Sequence, residues 1–115
     1  MAQASNYWTE NTTALIGSAT FNGAARDAIG SGSSTGGYSQ WCFFRAIAYS
    51  DQSGTLYVDH SSDGATWSAA GQASLTGGTP ISLNVPTCAQ WYRVRYVNGS
   101  TGQGTFTIRS SYSIA

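Results

Sequence analysis

The chain has 115 residues, of which 13% are aromatic and only 9% charged, and its formal net charge is zero. Five arginines, no lysine and five acidic residues give no basic footprint for nucleic acid. The apolar content excludes a disordered chain, and the length fits one domain burying somewhat over about 60% of its unfolded surface.

So few charges leave a surface of Ser, Thr, Gly, Asn and Gln, which protects poorly against association. A secreted, weakly charged domain fits that composition. So does a protein whose faces are covered by neighbours in an assembly. No apolar run approaches the ~20 residues that cross a bilayer, so no membrane segment is expected. Residues 1–13, MAQASNYWTENTT, lack the basic and apolar regions of a secretory signal. That predicts synthesis and first folding in a cytosol.

Residues 1–12 read as an extended N-terminal arm whose large apolar groups are Tyr7 and Trp8. Those two anchor it either on its own domain or on a neighbour. Residues 13–115 read as a single domain. TALIGSATF at 13–21 predicts the first strand, and Asn22-Gly23 ends it with a strong turn dipeptide. Residues 24–29 are short and extended or irregular, with Arg26 and Asp27 as a local pair. GSGSSTGG at 30–37 is a low-complexity loop within the domain.

QWCFFRAIAY at 40–49 alternates. Cys42, Phe44, Ala46 and Ala48 fall on one face. Trp41, Phe43, Arg45, Ile47 and Tyr49 fall on the other. Arg45 is not readily buried unpaired, so its face is assigned outward. A contiguous apolar stripe on an exterior face marks a subunit interface. Cover by the arm or a loop is the alternative.

Residues 51–67, DQSGTLYVDHSSDGATW, read as strand, turn, strand. Leu56, Val58 and His60 alternate with Thr55, Tyr57 and Asp59. Ser62-Asp63-Gly64 supplies the turn, and Thr66 and Trp67 begin the return strand. ISLNV at 81–85 points Ile81, Leu83 and Val85 inward, and Pro86 suggests a sheet edge or corner. In WYRVRYV at 91–97, Tyr92, Val94 and Tyr96 point inward, while Arg93 and Arg95 face solvent or a partner. The last strand points Phe106 and Ile108 inward and Arg109 outward. Turn signals every 8–12 residues and no helical period predict an all-β fold. The expected architecture is an antiparallel β-sandwich of seven or eight strands, jelly-roll or Greek-key like.

Chemistry is sparse. His60 is the single imidazole, and Asp59 points to the opposite face of the same strand, so they form no dyad. His60 reads as a core residue. Asp51 and Asp63 read as turn residues, and a calcium site built from them with Asp59 lacks an EF-hand pattern. No catalytic residue, metal site or cofactor is expected. Cys42 and Cys88 lack metal-ligand spacing. They are either free and buried or, if their strands adjoin, one disulfide.

GSATFNGAARD at 17–27, FFRAIAYSDQSGTLYVDHSSDGATW at 43–67 and WYRVRYVNGS at 91–100 resemble a β-sandwich module of tailed-phage virion proteins. Such modules occur in capsid decoration (cement) proteins and in tail or fibre components. The resemblance implies a structural or binding role, and it carries over no catalytic residue. The expected function is capsid decoration on the virion surface, with the major capsid protein and copies of itself, as a homotrimer, for partners. The expected interface is Tyr7, Trp8, Trp41, Phe43, Arg45, Ile47, Tyr49, Arg93 and Arg95. A carbohydrate-binding module for host adhesion, with a host glycan stacked on Trp41, Tyr49, Tyr57 or Trp67, is the alternative. A tail or baseplate component is a third.

Overall fold

The computed structural model describes residues 7–28 and 42–113. The loop at 30–37 and Trp41 lie outside the described residues. Among those described, nine strands form two antiparallel sheets and no helix is present. They are β1 (Tyr7–Asn11), β2 (Thr20–Asn22), β3 (Arg26–Asp27), β4 (Phe43–Ser50) and β5 (Gly54–Ser61). Then come β6 (Ser68–Leu75), β7 (Ile81–Pro86), β8 (Trp91–Asn98) and β9 (Phe106–Ser113). One sheet runs β1-β9-β4-β7. The other runs β2-β8-β5-β6, with β3 also on β8. The fold is a β-sandwich, as the alternation predicts.

The core is the sum of the inward positions. Phe44, Ala46, Ala48, Phe106, Ile108 and Tyr112 come from the four-stranded sheet. Leu56, Val58, Tyr92, Val94 and Tyr96 meet them from the other. Phe44 stacks on Tyr92 at 5.5 Å and meets Tyr112 edge-on at 5.0 Å. Such ring pairs add to burial by fixing orientation. Pro86 ends β7, which is an edge strand where a missing N–H is tolerated.

The 51–67 hairpin forms as expected, with its return strand starting at Ser68. Ser61 Oγ accepts from the Gly64 N–H at 2.9 Å, and Asp63 Oδ1 accepts from Ala65 and Thr66 N–H at 2.9 and 2.8 Å. Gly64 takes a φ of 78°, which its missing Cβ permits. Asp51, between β4 and β5, instead ties that turn to the β8–β9 loop, accepting from Gly104 and Thr105 N–H.

Two expectations at the N-terminal end are corrected. Residues 7–11 of the expected arm form a strand of the sandwich itself: β1 pairs with β9 at one edge of the four-stranded sheet. The reason is Glu10, whose side chain is 2% exposed. It receives two hydrogen bonds from Arg26 of β3, at 3.0 and 2.9 Å, and one from Ser110 Oγ. Arg26 therefore ties the two sheets together and is not a local partner of Asp27. Trp8 packs inward with it, 5.9 Å from Tyr112, with the Arg26 guanidinium 4.4 Å above its ring.

The second correction concerns residues 13–21. Only Thr20 and Phe21 of that stretch lie in a strand. Its backbone groups are bonded elsewhere. Leu15 N–H donates to Gln103 Oε1 at 2.8 Å, and Asn98 Nδ2 donates to Ile16 O at 3.0 Å. A loop from the far end of the chain takes the place of a strand partner.

Cys42 and Cys88 are free and exposed, so neither the disulfide nor the buried-thiol expectation holds. Cys42 lies just before β4, and its carbonyl accepts from Thr87 N–H at 2.8 Å, beyond the paired ends of β4 and β7. His60 is half-buried rather than a core residue, with Nδ1 3.9 Å from Cys88 Sγ.

Two outcomes test this packing. A Cβ on Gly54 would meet the Tyr96 hydroxyl and, at 2.7–2.8 Å, its ring. Tyr96 is fully buried and cannot yield, so Gly54→Ala should cost about 1–3 kcal/mol in chemical denaturation. The hydrogen bonds from Thr66, Ala65 and Ser61 hold the Asp63 carboxyl down at about 2, from an ordinary 3.8. A depressed carboxylate stabilises the fold above its unfolded value and loses that contribution as pH falls through the folded one. An NMR titration should place the Asp63 midpoint near 2. A midpoint near 3.8 would mean the turn is not formed this way.

Candidate interaction surface on the four-stranded sheet

The register of β1, β9, β4 and β7 lines up outward side chains in rows across the sheet. One row is Tyr7, Ser111, Arg45 and Asn84. The next is Thr9, Arg109, Ile47 and Ser82. All of these except Thr9 border a groove of about 410 Å³. Tyr7 and Ile47 are 58% and 47% exposed, far more than core residues of their type. Arg45 is exposed, with Nε 3.3 Å from Asn84 Oδ1 and its guanidinium 5.9 Å from the Phe43 ring. Among the described residues, no Asp or Glu borders the groove.

The expected interface residues divide. Tyr7, Phe43, Arg45, Ile47 and Tyr49 share this outer face, and Tyr7, Arg45 and Ile47 line its groove. Trp8 points the other way, into the protein. Trp41 lies outside the described residues. Arg93 and Arg95 lie on the outer face of the other sheet. Sequence reasoning missed Arg109, Ser82, Asn84 and Ser111 as members of the surface. Alternation had placed Arg109 outward, but only strand order shows that it neighbours Ile47.

Arg93 and Arg95 do not face open solvent. On β5 and β8, Tyr57 pairs with Arg95 and Asp59 with Arg93. Asp59 Oδ2 accepts from Arg93 Nε at 3.0 Å and from Arg95 Nε at 2.9 Å, and Oδ1 accepts from Arg95 Nη2 at 3.1 Å. The Asp59 side chain is 1% exposed. The guanidinium of Arg95 lies 3.9 Å from the Tyr57 ring, and that of Arg93 lies 4.6 Å from Trp67. Its hydrogen bonds to Asp59 raise Arg95 further above the ordinary arginine value. The result is a ladder of Tyr57, Arg95, Asp59, Arg93 and Trp67. Two of the four rings expected as sugar platforms, Tyr57 and Trp67, are therefore covered by the chain's own arginines. A stacked sugar would have to displace a guanidinium held by a buried carboxylate.

Asp59→Asn keeps the ladder's shape but leaves two guanidiniums without their counter-ion. The expected loss is about 2–3 kcal/mol in urea denaturation, below the 3–5 of a fully buried pair because both arginines reach water. A loss within experimental error would reduce the ladder to an ordinary surface pair.

Residues 1–113 match the model of the family described as "Uncharacterised protein YqxG N-terminal domain". A stretch of 65 residues is 31% identical to the phage-like element PBSX protein XepA of Bacillus subtilis strain 168, covering 56% of this chain and 23% of XepA. The crystal structure of PBSX exported protein XepA superposes on 100% of this chain and 40% of its own, with a TM-score of 0.82 at 22% identity. The chain thus spans less than half the length of this relative. PirA shares the fold over 97% of both chains, with a TM-score of 0.59 at 9% identity. A family 6 carbohydrate-binding module shares it with a TM-score of 0.50 at 13% identity, over 98% of this chain and 86% of its own. The match over nearly the whole length places this chain in the YqxG N-terminal domain family, related to a protein of a phage-like element.

Proposed function

We propose that the protein is a non-enzymatic structural component of a phage virion, a decoration subunit that binds the major capsid protein on the shell surface. The outer face of the four-stranded sheet is its contact surface. The observation that carries the reading is that face itself: exposed Tyr7 and Ile47 beside Phe43, Tyr49 and two arginines, on a rigid sandwich. Aromatic residues and arginine are the types enriched at protein interfaces, and lysine is depleted there. This chain has no lysine at all. The relation to a phage-element protein supplies the setting. Contacts made only on the assembled shell would stabilise it by mass action, without any reaction being catalysed. Copies of the chain meeting as a trimer at a threefold of the shell would multiply those contacts.

Adhesion to a host glycan is the second reading. It is favoured by the groove of about 410 Å³, a size typical of small-ligand sites, with Ser82, Asn84 and Ser111 along it.

Capsids of the parent phage prepared without this protein provide the test. Added protein should co-sediment with them saturably and raise their disruption temperature. Ile47→Asp places a carboxylate on the contact face without touching the core, and should weaken binding at least about tenfold. No co-sedimentation by the unaltered protein would sink the decoration reading. A neutral glycan that binds the groove in its place would establish the second.

A further inference from the structure

We infer that Cys88 is a reactive thiol activated by His60, and that its reaction partner is a disulfide, half of which it keeps as a covalent adduct. The inference stands apart from the virion reading, and none of its residues lines the groove.

Strand register builds the site. His60 on β5 stands directly across from Tyr92 on β8, so the two side chains share the inner face of the sheet. Their rings lie 6.1 Å apart. Tyr92 is fully buried and stacks on Phe44, so its hydroxyl is held from the core. That hydroxyl accepts from the Cys88 and Ala89 N–H at 2.6 and 3.0 Å. The connection between β7 and β8 is thereby pinned, and Cys88 stands exposed on it. Its Sγ lies 3.9 Å from His60 Nδ1 and 3.8 Å from the Tyr92 hydroxyl oxygen.

This is the arrangement of a nucleophile beside a base. The thiolate, not the thiol, attacks, and an adjacent imidazole is one way to generate it. With its own proton on Nε2, His60 accepts the Sγ proton through Nδ1. The step that follows is thiol–disulfide exchange. Cys88 Sγ bonds to one sulfur of the incoming disulfide, the S–S bond breaks, and the other sulfur leaves as a thiolate. The leaving thiolate then takes the proton from the imidazolium. One disulfide is consumed, one mixed disulfide and one free thiol are formed, and no further oxidant is needed.

Two comparisons sharpen the assignment. A cysteine kept for packing is a small buried hydrophobe, and Cys88 is neither buried nor without a polar neighbour. A metal is the other ligand that a Cys–His pair takes, but among the described residues no third Cys, His, Asp or Glu joins them, which falls short of a zinc site. The chain also carries its own control. Cys42 is free and exposed as well, with its backbone bonded to Ser113 and Thr87. The one histidine of the chain, however, lies against Cys88.

The test uses the full chain, reduced, and follows its reaction with the aromatic disulfide 5,5′-dithiobis(2-nitrobenzoate) by absorbance at neutral pH. Cys42→Ser leaves Cys88 to react alone, and Cys88→Ser leaves Cys42. Cys88 should react at least about tenfold faster than Cys42. His60→Ala, combined with Cys42→Ser, should bring Cys88 down to the Cys42 rate. Added imidazole should restore the Cys88 rate and leave the Cys42 rate where it was. Thermal unfolding checks that each variant is folded, and the ratio between the two thiols needs no change at His60. Oxidised glutathione is then supplied to the unaltered chain, and the products are read by mass spectrometry and non-reducing electrophoresis. An adduct on Cys88 ahead of Cys42 supports the inference. Glutathione on a single chain identifies a small disulfide as the source, and a disulfide between two chains identifies a second copy. Equal rates for the two thiols would overturn the inference. So would a folded His60→Ala chain whose Cys88 reacts as fast as before.

Discussion

The carboxylate of Asp59, sealed under Arg93 and Arg95, constrains more of this molecule than any other single group. It sits on the outer face of β5, directly across from Arg93. Sliding β5 by one residue against β8 would turn Asp59 into the core beside Phe44 and Tyr92, and would turn Val58 out. Sliding it by two so that Asp59 faces Trp91 would leave the carboxylate out of reach of Arg95. Apolar alternation forbids the first slip, and the charge pair forbids the second. A buried ion pair is a weak source of net stability, and fixing register is its best-attested use. Here the register that it fixes runs through the two central strands of one sheet. The strand-pairing consequences spread from there. β8 carries both β2 and β3, and Asn98 at its end holds the 15–19 loop.

A second carboxylate does for the sandwich what Asp59 does for the sheet. Glu10 of β1 reaches across the open side to Arg26 of β3, and Trp8 lies against the same guanidinium. One ion pair therefore joins the edge of one sheet to the edge of the other. In both clusters an aromatic ring covers the face of an arginine, which keeps the charge half out of water without leaving it unpaired. With so few charges in the chain, spending three arginines and two acids on these joints leaves a surface of small polar residues.

Much of this was legible in the sequence, and the part that was not has a physical reason. Residues 43–49, 81–85 and 91–97 keep a strict period of two, and one buried face is enough to orient every side chain. The Ser61–Thr66 turn is local, so its hydrogen bonds can be read from neighbouring letters. β1 is different. YWTEN has no apolar alternation, because the inward residue after Trp8 is the charged Glu10. Arg26, 16 residues later, and Ser110, 100 residues later, make that position tolerable. The stretch 13–19 fails in the opposite sense. Its composition suits a strand, but Gln103 and Asn98, more than 80 residues away, take its backbone groups first. Arg93, Arg95 and Arg109 were all read as outward. Whether an outward arginine meets a carboxylate, as two do on Asp59, or stands by Ile47 depends on which strands are neighbours. Alternation alone carries no such information.

That distinction also explains why the phage-like wording of the sequence points to a scaffold more firmly than to a partner. The stretches that carry the resemblance include Gly54, which makes room for Tyr96, and Asp59 with its two arginines. They include the Asp63 turn and the Asn98 corner as well. Each of these residues is occupied inside the fold. The groove draws instead on Tyr7, Ser82, Asn84, Arg109 and Ser111, which come from strands outside those stretches, with Arg45 and Ile47 from β4 completing it. A sandwich organised this way can hold its architecture constant while the outer residues of β1, β7 and β9 change. Specificity for a partner is then written on positions that the fold itself does not need.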